Sequence, residues 1–394
     1  MTVKKLRVGV LFGGRSGEHE VSLLSAASVM QAIDRSKYEV VPIGITKQGL
    51  WLTDLHAEQL IKGEFVAPKG KSPRAGDPAA TSSATVLAKG EAVLVPPVPS
   101  AHSIVPFETP RGNTTGAIAV DVIFPVLHGT FGEDGTIQGL LELADIPYVG
   151  SGVLGSAAGM DKDIMKRLFC DSRLPLVKHL TVLRSEWERQ PKQIEKAVDS
   201  ALKYPVFVKP ANLGSSVGIS KAHDATELPA AMNEAARYDR KIIIEQGVGG
   251  KRHKAREIEC AVLGNDEPAA SICGEIIPAQ EFYDYNAKYI DSGSELLIPA
   301  RLDHTQARQI QEMAIRAFQS VECSGLARVD FLMDPVTGHF YLNEVNTMPG
   351  FTAISMYPKL WAASGIEYPA LIERLIQLAL ERHADKKRNQ YTKD

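Results

Sequence analysis

The chain begins with two short apolar runs separated by one helical segment, and this pattern constrains its fold more than any other feature. Residues 6–12 and 38–45 are short and rich in β-branched residues, as strands are. Between them, a glycine-rich turn at residues 13–17 precedes residues 20–34, where apolar residues recur on one helical face. The order predicts a βαβ unit, and therefore an α/β fold with a parallel sheet at the N-terminal end.

Composition limits the classes of partner. The chain has 394 residues, with 44 Lys and Arg against 47 Asp and Glu. At about 100 to 200 residues per domain, this length predicts two or three domains. The net charge of -3 removes the usual electrostatic argument for nucleic acid or an anionic membrane, because both favour a strongly basic face. We therefore expect neither partner.

The cysteines and the first residues bear on the cellular compartment. The four cysteines have spacings that fit neither a zinc site nor a disulfide framework, so reduced thiols are expected. The first apolar run is shorter than a signal-peptide core or a membrane span. The sequence accordingly predicts a cytoplasmic protein.

Domain boundaries follow from shifts in composition. We predict an N-terminal α/β domain over residues 1–150, a central subdomain over 151–247, a C-terminal subdomain over 248–385 and a charged tail over 386–394. Residues 66–116 are rich in Pro, Ser, Ala and Gly, which disfavours regular helix. We interpret that stretch as an insertion that carries a single hairpin at most and lies outside the apolar core.

The later part of the chain is predicted to alternate helices and strands. Helices are expected at about residues 156–172, 303–321 and 359–382, and strands at about 205–209, 241–246, 257–263, 327–333 and 340–345.

One cluster of polar residues is placed for metal binding. Asp330, Glu344 and Asn346 lie on two strand patterns joined by a turn, and residues two apart on a strand share a face. Oxygen donors without His or Cys suit Mg²⁺, which uses one or two carboxylates together with water and substrate phosphates. A solvated hairpin face explains the same residues equally well.

A glycine- and serine-rich loop follows Lys209. In residues 214–218 (GSSVG), glycines would let backbone N–H groups approach phosphate oxygens, and Ser215 and Ser216 add donors. The loop lacks the Gly-Lys-Ser/Thr of a Walker motif, so it also fits a mobile turn. Lys162 is either a second phosphate contact or a lysine near a helix start.

Two residues are placed at strand ends in the N-terminal domain. The turn that precedes Glu18 lacks the Gly-x-Gly-x-x-Gly spacing, which argues against a dinucleotide. Ligands of open α/β sheets bind at the carboxyl ends of strands, so Glu18 is placed to meet a substrate cation. His128 is placed in the same way, although a structural histidine fits its position equally well.

Six ordered blocks together resemble the D-alanine–D-alanine ligases of the ATP-grasp superfamily. They are residues 13–22 (GGRSGEHEVS), 128–135 (HGTFGEDG), 160–162 (MDK), 209–218 (KPANLGSSVG), 282–289 (FYDYNAKY) and 343–350 (NEVNTMPG). The resemblance covers roughly residues 5 to 383. Six blocks in one order are far more specific than any one of them.

The resemblance implies an α/β fold of the ATP-grasp kind, in which an N-terminal parallel-sheet domain precedes two ATP-grasp subdomains. ATP would lie between those two subdomains, and two D-alanines would lie against the N-terminal domain. ATP-binding residues would be Lys162, Lys209, Ser215, Ser216, Glu245, Gln246, Val248 and Glu257. Two Mg²⁺ or Mn²⁺ ions would be held by Asp330, Glu344 and Asn346.

The resemblance also implies the chemistry and the remaining residue roles. The γ-phosphoryl group of ATP would pass to the carboxylate of the first D-alanine, and the amine of the second would attack the acyl phosphate, for peptidoglycan synthesis. Catalytic residues would be Glu18, Ser215, Lys288, Tyr289 and Arg328. Substrate-binding residues would be Glu18, His128, Gly350, Ser355 and Met356. A homodimer is also implied.

Three alternatives stay open. A D-alanine–D-lactate ligase would share the phosphate and metal residues, but the tyrosine at position 289 resembles dipeptide-forming enzymes, whereas histidine is typical of lactate-forming ones. A nucleotide-binding regulator would keep the fold without the chemistry. A dehydrogenase has the least support, because its glycine fingerprint is missing.

Overall fold

A computed structural model describes residues 4–53, 90–99, 103–107, 116–250, 253–277 and 295–392. Within these residues the chain forms three sheets, one for each of the predicted domains. In the part of the chain that the structure describes, no helix is long and apolar enough to cross a membrane.

Seven described strands form the N-terminal sheet, in the order β6-β5-β4-β3-β2-β1-β7. The strands are β1 (Leu6–Gly13), β2 (Tyr38–Ile45), β3 (Trp51–Thr53), β4 (Glu91–Leu94), β5 (Ser103–Pro106), β6 (Ile118–Ala119) and β7 (Val122–Pro125). Strand β1 is parallel to both β2 and β7. Helix α1 (His19–Ala32) connects β1 to β2, so the predicted βαβ unit is confirmed.

The Pro-rich segment contributes to this sheet, which corrects one expectation. Strands β4 and β5 pair as an antiparallel hairpin, and β4 also pairs with β3. The side chains of Val93, Val95 and Ile104 are buried in the core of the N-terminal domain. The expected hairpin is therefore present, but the expectation that the whole insertion lies outside the core is wrong. A few apolar residues are enough to extend a sheet at its edge, even where prolines dominate the composition.

The central part carries four described strands in the order β10-β9-β11-β8, all antiparallel. The strands are β8 (His179–Leu183), β9 (Val206–Pro210), β10 (Ser220–Ala222) and β11 (Lys241–Gln246). The helices of the region before and within this sheet are α2 (Thr136–Leu143), α3 (Val153–Met160), α4 (Lys162–Asp171), α5 (Arg184–Arg189), α6 (Pro191–Ala201) and α7 (Leu228–Tyr238).

The helix expected over residues 156–172 is two helices, because Asp161 interrupts it. Asp161 has an extended backbone, and its carboxylate accepts hydrogen bonds from the backbone N–H groups of Asp163 and Ile164. This is an N-cap, which starts a new helix by satisfying backbone donors that lack a helical partner. Helix α4 therefore begins at Lys162.

The C-terminal part carries five described strands in the order β14-β13-β12-β15-β16, also antiparallel. The strands are β12 (Arg256–Gly264), β13 (Ala269–Ile277), β14 (Glu295–Leu297), β15 (Gly325–Met333) and β16 (Phe340–Asn346). The helices are α8 (His304–Ser320), α9 (Met356–Ala363) and α10 (Tyr368–Lys386). The single helix expected over residues 359–382 is thus two helices, and the turn between them contains Gly365 with a φ of 93°.

Candidate active site

The central and C-terminal sheets enclose a cavity of about 380 Å³. Ligand pockets usually measure about 300 to 1,000 Å³, so this volume suits a small molecule. The central sheet contributes the wall that contains Lys209 and Glu245, and the C-terminal sheet contributes the wall that contains Asp330 and Glu344. Each wall therefore carries charged side chains of both signs, since Arg328 lies on the same strand as Asp330.

Most of the predicted ATP and metal residues line this first cavity. The sequence-predicted residues among its lining are Lys162, Lys209, Ser215, Ser216, Glu245, Gln246, Val248, Glu257, Arg328, Asp330 and Glu344. The structure thus brings together residues that are more than 180 positions apart in the chain. Their individual roles stay predictions.

A second cavity of about 150 Å³ adjoins the first and extends toward the N-terminal domain. Predicted substrate residues line it: Glu18, Gly350, Ser355 and Met356, together with Asn346. Lys162, Ser215, Arg328 and Glu344 line both cavities. Molecules bound in the two cavities would therefore meet at these four residues.

The hairpin of β15 and β16 gathers charge at this meeting point. Asp330 lies directly opposite Glu344, and Arg328 lies opposite Asn346, so all four positions share one face of the sheet. Arg328 donates two hydrogen bonds to Asp330, at 2.7 and 2.6 Å. Burial alone lowers the pKa of Arg328, but Asp330 and Glu259 outweigh burial and raise it well above its usual value. Arg328 is therefore a permanent cation.

The predicted metal residues fit a magnesium site by their chemistry. Asp330 and Glu344 face each other across paired strands, and Asn346 adds an amide oxygen on the same face. A carboxylate oxygen has two lone pairs, so an oxygen that accepts one hydrogen bond can still coordinate a metal ion. Two carboxylates and one amide, completed by water and nucleotide phosphates, form a donor set typical of Mg²⁺. No group of three or more His, Cys, Asp or Glu suited to a metal occurs among the described residues, so Asn346 matters to this set.

Lysines approach the cavity from helix α4 and strand β9. The Lys162 ammonium lies 3.5 Å from the Glu344 carboxylate and donates a hydrogen bond to the Leu213 carbonyl at 3.0 Å. The Lys209 ammonium lies 2.5 Å from the Glu245 carboxylate. Burial lowers the pKa of Lys209, but the charge of Glu245 outweighs burial and raises it. Lys209 is therefore charged near neutral pH.

The glycine- and serine-rich loop closes one side of both cavities. Ser215 and Ser216 have positive φ angles of 50° and 59°, a conformation that is uncommon outside glycine. The Ser215 hydroxyl donates a hydrogen bond to the Glu18 carboxylate. The loop therefore contacts the turn that precedes helix α1.

His128 lies behind the second cavity. Its Nε2 is 3.0 Å from the Ser25 hydroxyl and its Nδ1 is 3.0 Å from the Met348 carbonyl. Because a carbonyl accepts only, Nδ1 carries the proton. Burial lowers the pKa of His128, although Glu18 and the Met348 carbonyl act in the opposite direction. His128 is therefore a neutral link between the N-terminal domain and the loop after β16, and its predicted contact with substrate stays a prediction.

Ser355 and Met356 lie where helix α9 begins. Ser355 is the N-cap residue, and its hydroxyl accepts a hydrogen bond from the Thr352 N–H at 3.1 Å. A Cβ on Gly350 would lie 3.2 Å from the Ser355 hydroxyl oxygen, so a side chain there would crowd the cavity. A helix N-terminus attracts anions, which agrees with the predicted contact to a substrate carboxylate. Lys288 and Tyr289 lie outside the described residues.

Several residues that line or support the cavities were not predicted from the sequence, and three of them are charged residues in contact with predicted ones. Glu133 lines the second cavity, and burial raises the pKa of its carboxyl well above the usual value, with Glu18 adding to the effect. Glu259 lies 3.1 Å from Arg328, and Lys166 lies 2.6 Å from Glu245. Glu133 falls within the quoted block 128–135, and Lys166 follows Lys162 by one helical turn, so both had a signal in the sequence.

Comparisons with known proteins identify relatives along the whole chain. The family model described as D-ala D-ala ligase N-terminus matches residues 7–151, and the one described as D-ala D-ala ligase C-terminus matches residues 168–377. A D-alanine–D-alanine ligase of Heliobacterium modesticaldum is 50% identical over 385 residues, covering 98% of this chain and 97% of that protein. One of Bacillus cytotoxicus is 47% identical over 388 residues, covering 98% and 99%.

Solved structures share the fold. The D-alanine–D-alanine ligase of Coxiella burnetii has a TM-score of 0.79 and 34% identity, covering 98% of this chain and 97% of that one. The VanG D-Ala:D-Ser ligase of Enterococcus faecalis has a TM-score of 0.79 and 34% identity, covering 95% of this chain and 100% of that one.

The fold and the paired cavities define the chain as an ATP-grasp enzyme, of the class that joins a carboxylate to an amine with ATP. Both family models and the relatives at about half identity agree with this class. The chain belongs to the D-alanine–D-alanine ligase family. The resemblance, the fold class and the ATP-dependent ligase predicted from the sequence are confirmed, and nothing in the comparisons supports a dehydrogenase or an inactive regulator.

Proposed function

We propose that the chain joins two D-alanine molecules to form D-alanyl-D-alanine, a peptidoglycan precursor, and converts ATP to ADP and phosphate. The observation that carries this proposal is the pair of adjoining cavities that share Lys162, Ser215, Arg328 and Glu344. ATP occupies the first cavity, and the amino acids occupy the second. The γ-phosphate and the first carboxylate meet at the shared residues.

The reaction has two steps, and the first step makes the second one feasible. A carboxylate oxygen of the first D-alanine attacks the γ-phosphorus, and the bond between that phosphorus and the bridging oxygen breaks to release ADP. The amine of the second D-alanine, after losing a proton, attacks the carbonyl carbon of D-alanyl phosphate. The carbon–oxygen bond to phosphate then breaks. Phosphate is a good leaving group, whereas the oxygen of a free carboxylate is not.

Charged side chains hold the reacting groups. Lys162 and Lys209 bind the nucleotide phosphates, and Arg328 offsets negative charge as it develops at the transferring phosphoryl group. Glu18, buried and 8% exposed, binds the ammonium group of the first D-alanine. The first turn of α9, at Ser355 and Met356, binds the carboxylate of the second D-alanine.

Magnesium fits the oxygen donors described above. Asp330, Glu344 and Asn346 would hold it, and its charge would neutralise the phosphate oxygens of ATP. Mg²⁺ or Mn²⁺ binding and the homodimer are parts of this proposal that rest on the resemblance, and the cytoplasmic location rests on the cysteine spacing and the short first apolar run.

Water exclusion is the second requirement of this chemistry, because water would hydrolyse the acyl phosphate. The contact between Ser215 and Glu18 supports a role for the glycine- and serine-rich loop in closing the site. Lys288 and Tyr289, which the resemblance places on a second closing loop, complete the proposal from sequence alone.

A second candidate differs only in the amine that attacks. One of the similar structures is a D-Ala:D-Ser ligase, so D-serine is a reasonable second substrate for this fold. The D-lactate alternative is not favoured, because the curated relatives are D-alanine–D-alanine ligases.

The test measures phosphate release from ATP and the mass of the product. D-alanine is offered alone, with D-serine or with D-lactate, and L-alanine serves as control. We expect D-alanyl-D-alanine as the main product in every mixture that contains D-alanine. A D-alanyl-D-serine product in excess would favour the second candidate, and no release of phosphate with D-alanine would refute ligation.

An isotope experiment tests the intermediate. D-alanine labelled with ¹⁸O in its carboxylate should transfer one labelled oxygen to inorganic phosphate, because the carboxylate oxygen stays with phosphorus when the carbon–oxygen bond breaks. Unlabelled phosphate would show that no acyl phosphate forms.

A further inference from the structure

Helix α4 carries a lysine that none of the predicted roles uses. Lys166 lies one turn after Lys162 and is almost fully buried, with 1% of its side chain exposed, against 11% for Lys162 and 12% for Lys209. A buried lysine is costly unless it is paired and hydrogen-bonded. Its partners therefore indicate its purpose.

Glu245 lies between Lys166 and Lys209. One carboxylate oxygen is 2.6 Å from the Lys166 ammonium, and the other is 2.5 Å from the Lys209 ammonium. Lys166 also donates a hydrogen bond of 3.4 Å to the Asn343 carbonyl, next to Glu344 in strand β16. Burial raises the pKa of Glu245, but the two lysines outweigh burial and hold it well below its usual value. One buried carboxylate thus serves two buried cations.

The two lysines differ in their access to the first cavity. Lys209 and Glu245 are among the described residues that line it, whereas Lys166 is not among them. Lys209 can therefore reach a nucleotide, and Lys166 cannot. A phosphate that binds Lys209 would compete with Glu245 for the three N–H donors of this ammonium.

We propose that Lys166 is a positioning residue that stays paired with Glu245 and so frees Lys209 to bind the phosphates of ATP. This inference rests on the proposed function, because that proposal places the phosphates beside Lys209. Without Lys166, the transfer of Lys209 to phosphate would leave a buried carboxylate without a partner, which is strongly unfavourable. Lys166 acts through Glu245 and does not contact the nucleotide.

The direct test measures the dissociation constants of ATP and of adenosine by calorimetry. We expect Lys166→Met to weaken ATP binding by about tenfold or more, because a buried carboxylate is stranded, while adenosine binding changes by less than about threefold. Adenosine is the internal control, since it has no phosphates and does not require Lys209 to move.

A double-mutant cycle isolates the pairing from general damage. Glu245→Gln removes the carboxylate that Lys166 neutralises. In that background, Lys166→Met should change ATP affinity by less than about twofold, because position 245 no longer carries a carboxylate that needs a partner. An equal loss of ATP affinity in both backgrounds would overturn the proposal.

A matched control is available on the same strand as Glu245. Lys241 is a lysine with 12% of its side chain exposed, 2.6 Å from Asp161 and 3.3 Å from Asp163, and it is not among the described residues that line the first cavity. Lys241→Met should lower stability without selectively weakening ATP over adenosine. The same selective loss of ATP in this variant would show that any lost ion pair has this effect, and would overturn the inference.

The inference and the proposed function fail in different ways. If Lys209→Met leaves ATP binding unchanged, the phosphate role of Lys209 is wrong, and the inference falls with it. If Lys209→Met weakens ATP binding and Lys166→Met does not, only the inference is wrong.

Lys166→Arg covers the case in which the methionine variant does not fold. It keeps the charge and should keep ATP affinity within about threefold of the parent. A folded arginine variant that loses ATP but retains adenosine would overturn the inference.

Discussion

The Glu18 carboxylate accepts a hydrogen bond from the Ser215 hydroxyl, although Glu18 precedes helix α1, Ser215 lies in the loop between β9 and β10, and the two are 197 positions apart. Glycines make room for this contact. A Cβ on Gly129 would lie 2.6 Å from a Glu18 carboxylate oxygen, and one on Gly214 would lie 3.1 Å from the same atom. The contact therefore joins the turn between β1 and α1 to the glycine- and serine-rich loop at the edge of the second cavity.

Replacing Glu18 tests its role in binding the first D-alanine. We expect Glu18→Gln to raise the KM for D-alanine on the order of 100-fold, because removing one member of a desolvated charge pair costs about 2 to 5 kcal/mol. ATP affinity should not change. Steady-state kinetics and ATP calorimetry measure both quantities.

Glu20 offers the control, since it is in the same turn of helix α1 and pairs with the half-exposed Lys47 at the surface. Glu20→Gln should retain the parent KM. Equal effects of the two substitutions would mean that the charge of the turn, and not the position of Glu18, governs D-alanine binding.

Glu344 is expected to be essential for turnover. Its carboxylate faces both Asp330 and the Lys162 ammonium. A unit charge about 4 Å from a cation is worth on the order of 4 kcal/mol at an effective dielectric of 20. Glu344→Gln should therefore lower kcat by about 10³-fold or more. The fold should stay intact, as circular dichroism would show.

Asp334 provides the matched carboxylate, because it lies in the turn of the same hairpin, outside both cavities, and accepts hydrogen bonds from the backbone N–H groups of Val336 and Thr337. Asp334→Asn should turn over like the parent. Near-normal turnover of Glu344→Gln at an ordinary Mg²⁺ concentration would show that Glu344 is not a metal ligand.

Local patterns predicted the elements that surround the site. Strands β2 and β11 have the bounds expected from their apolar runs, and the β15–β16 hairpin places Asp330 opposite Glu344 as the two-residue period requires. The six family blocks predicted which distant segments meet. Those features depend on short stretches of sequence, so they can be predicted without knowing the tertiary structure.

Other features depend on contacts that no short stretch contains. Asp161 ends one helix and caps the next, but an aspartate within a helical pattern also fits an exposed helix position. Lys166 on helix α4 meets Glu245 on strand β11 only in the folded chain, because 79 positions separate the two residues in sequence. Ser103 and Ile104 of strand β5 are buried where β4 and β6 flank the strand, and neither of those pairings can be recognised from the four residues of β5 alone.

His128 should make stability depend on pH. Its ordinary pKa is 6.5, and burial lowers its pKa in the folded state. Between those two values the unfolded chain binds more protons than the folded one, so the free energy of unfolding falls as pH drops below about 6.5. Above that pH the contribution is fully present.

The measurement is urea unfolding at several pH values between about 5 and 7.5. His128→Asn should reduce the slope of stability against pH in the acidic range, even though it also lowers stability overall. His19 is buried and has a lowered pKa as well, so the parent slope should fall but not vanish. An unchanged slope would show that His128 has the same pKa in the folded and unfolded chains.

The last prediction concerns the hairpin inside the Pro-rich segment. Ile104 in strand β5 is fully buried, and Val98, between the two strands of that hairpin, is 49% exposed. Ile104→Ala should lower the free energy of unfolding by about 2 to 4 kcal/mol, because it removes buried methyl groups and leaves a cavity. Val98→Ala should change it by less than about 0.5 kcal/mol, as expected for a surface position. Urea unfolding of both variants measures the two changes in the free energy of unfolding. Equal and small changes would mean that the hairpin of β4 and β5 does not stabilise the N-terminal sheet, and that the Pro-rich segment can be removed without loss of the fold.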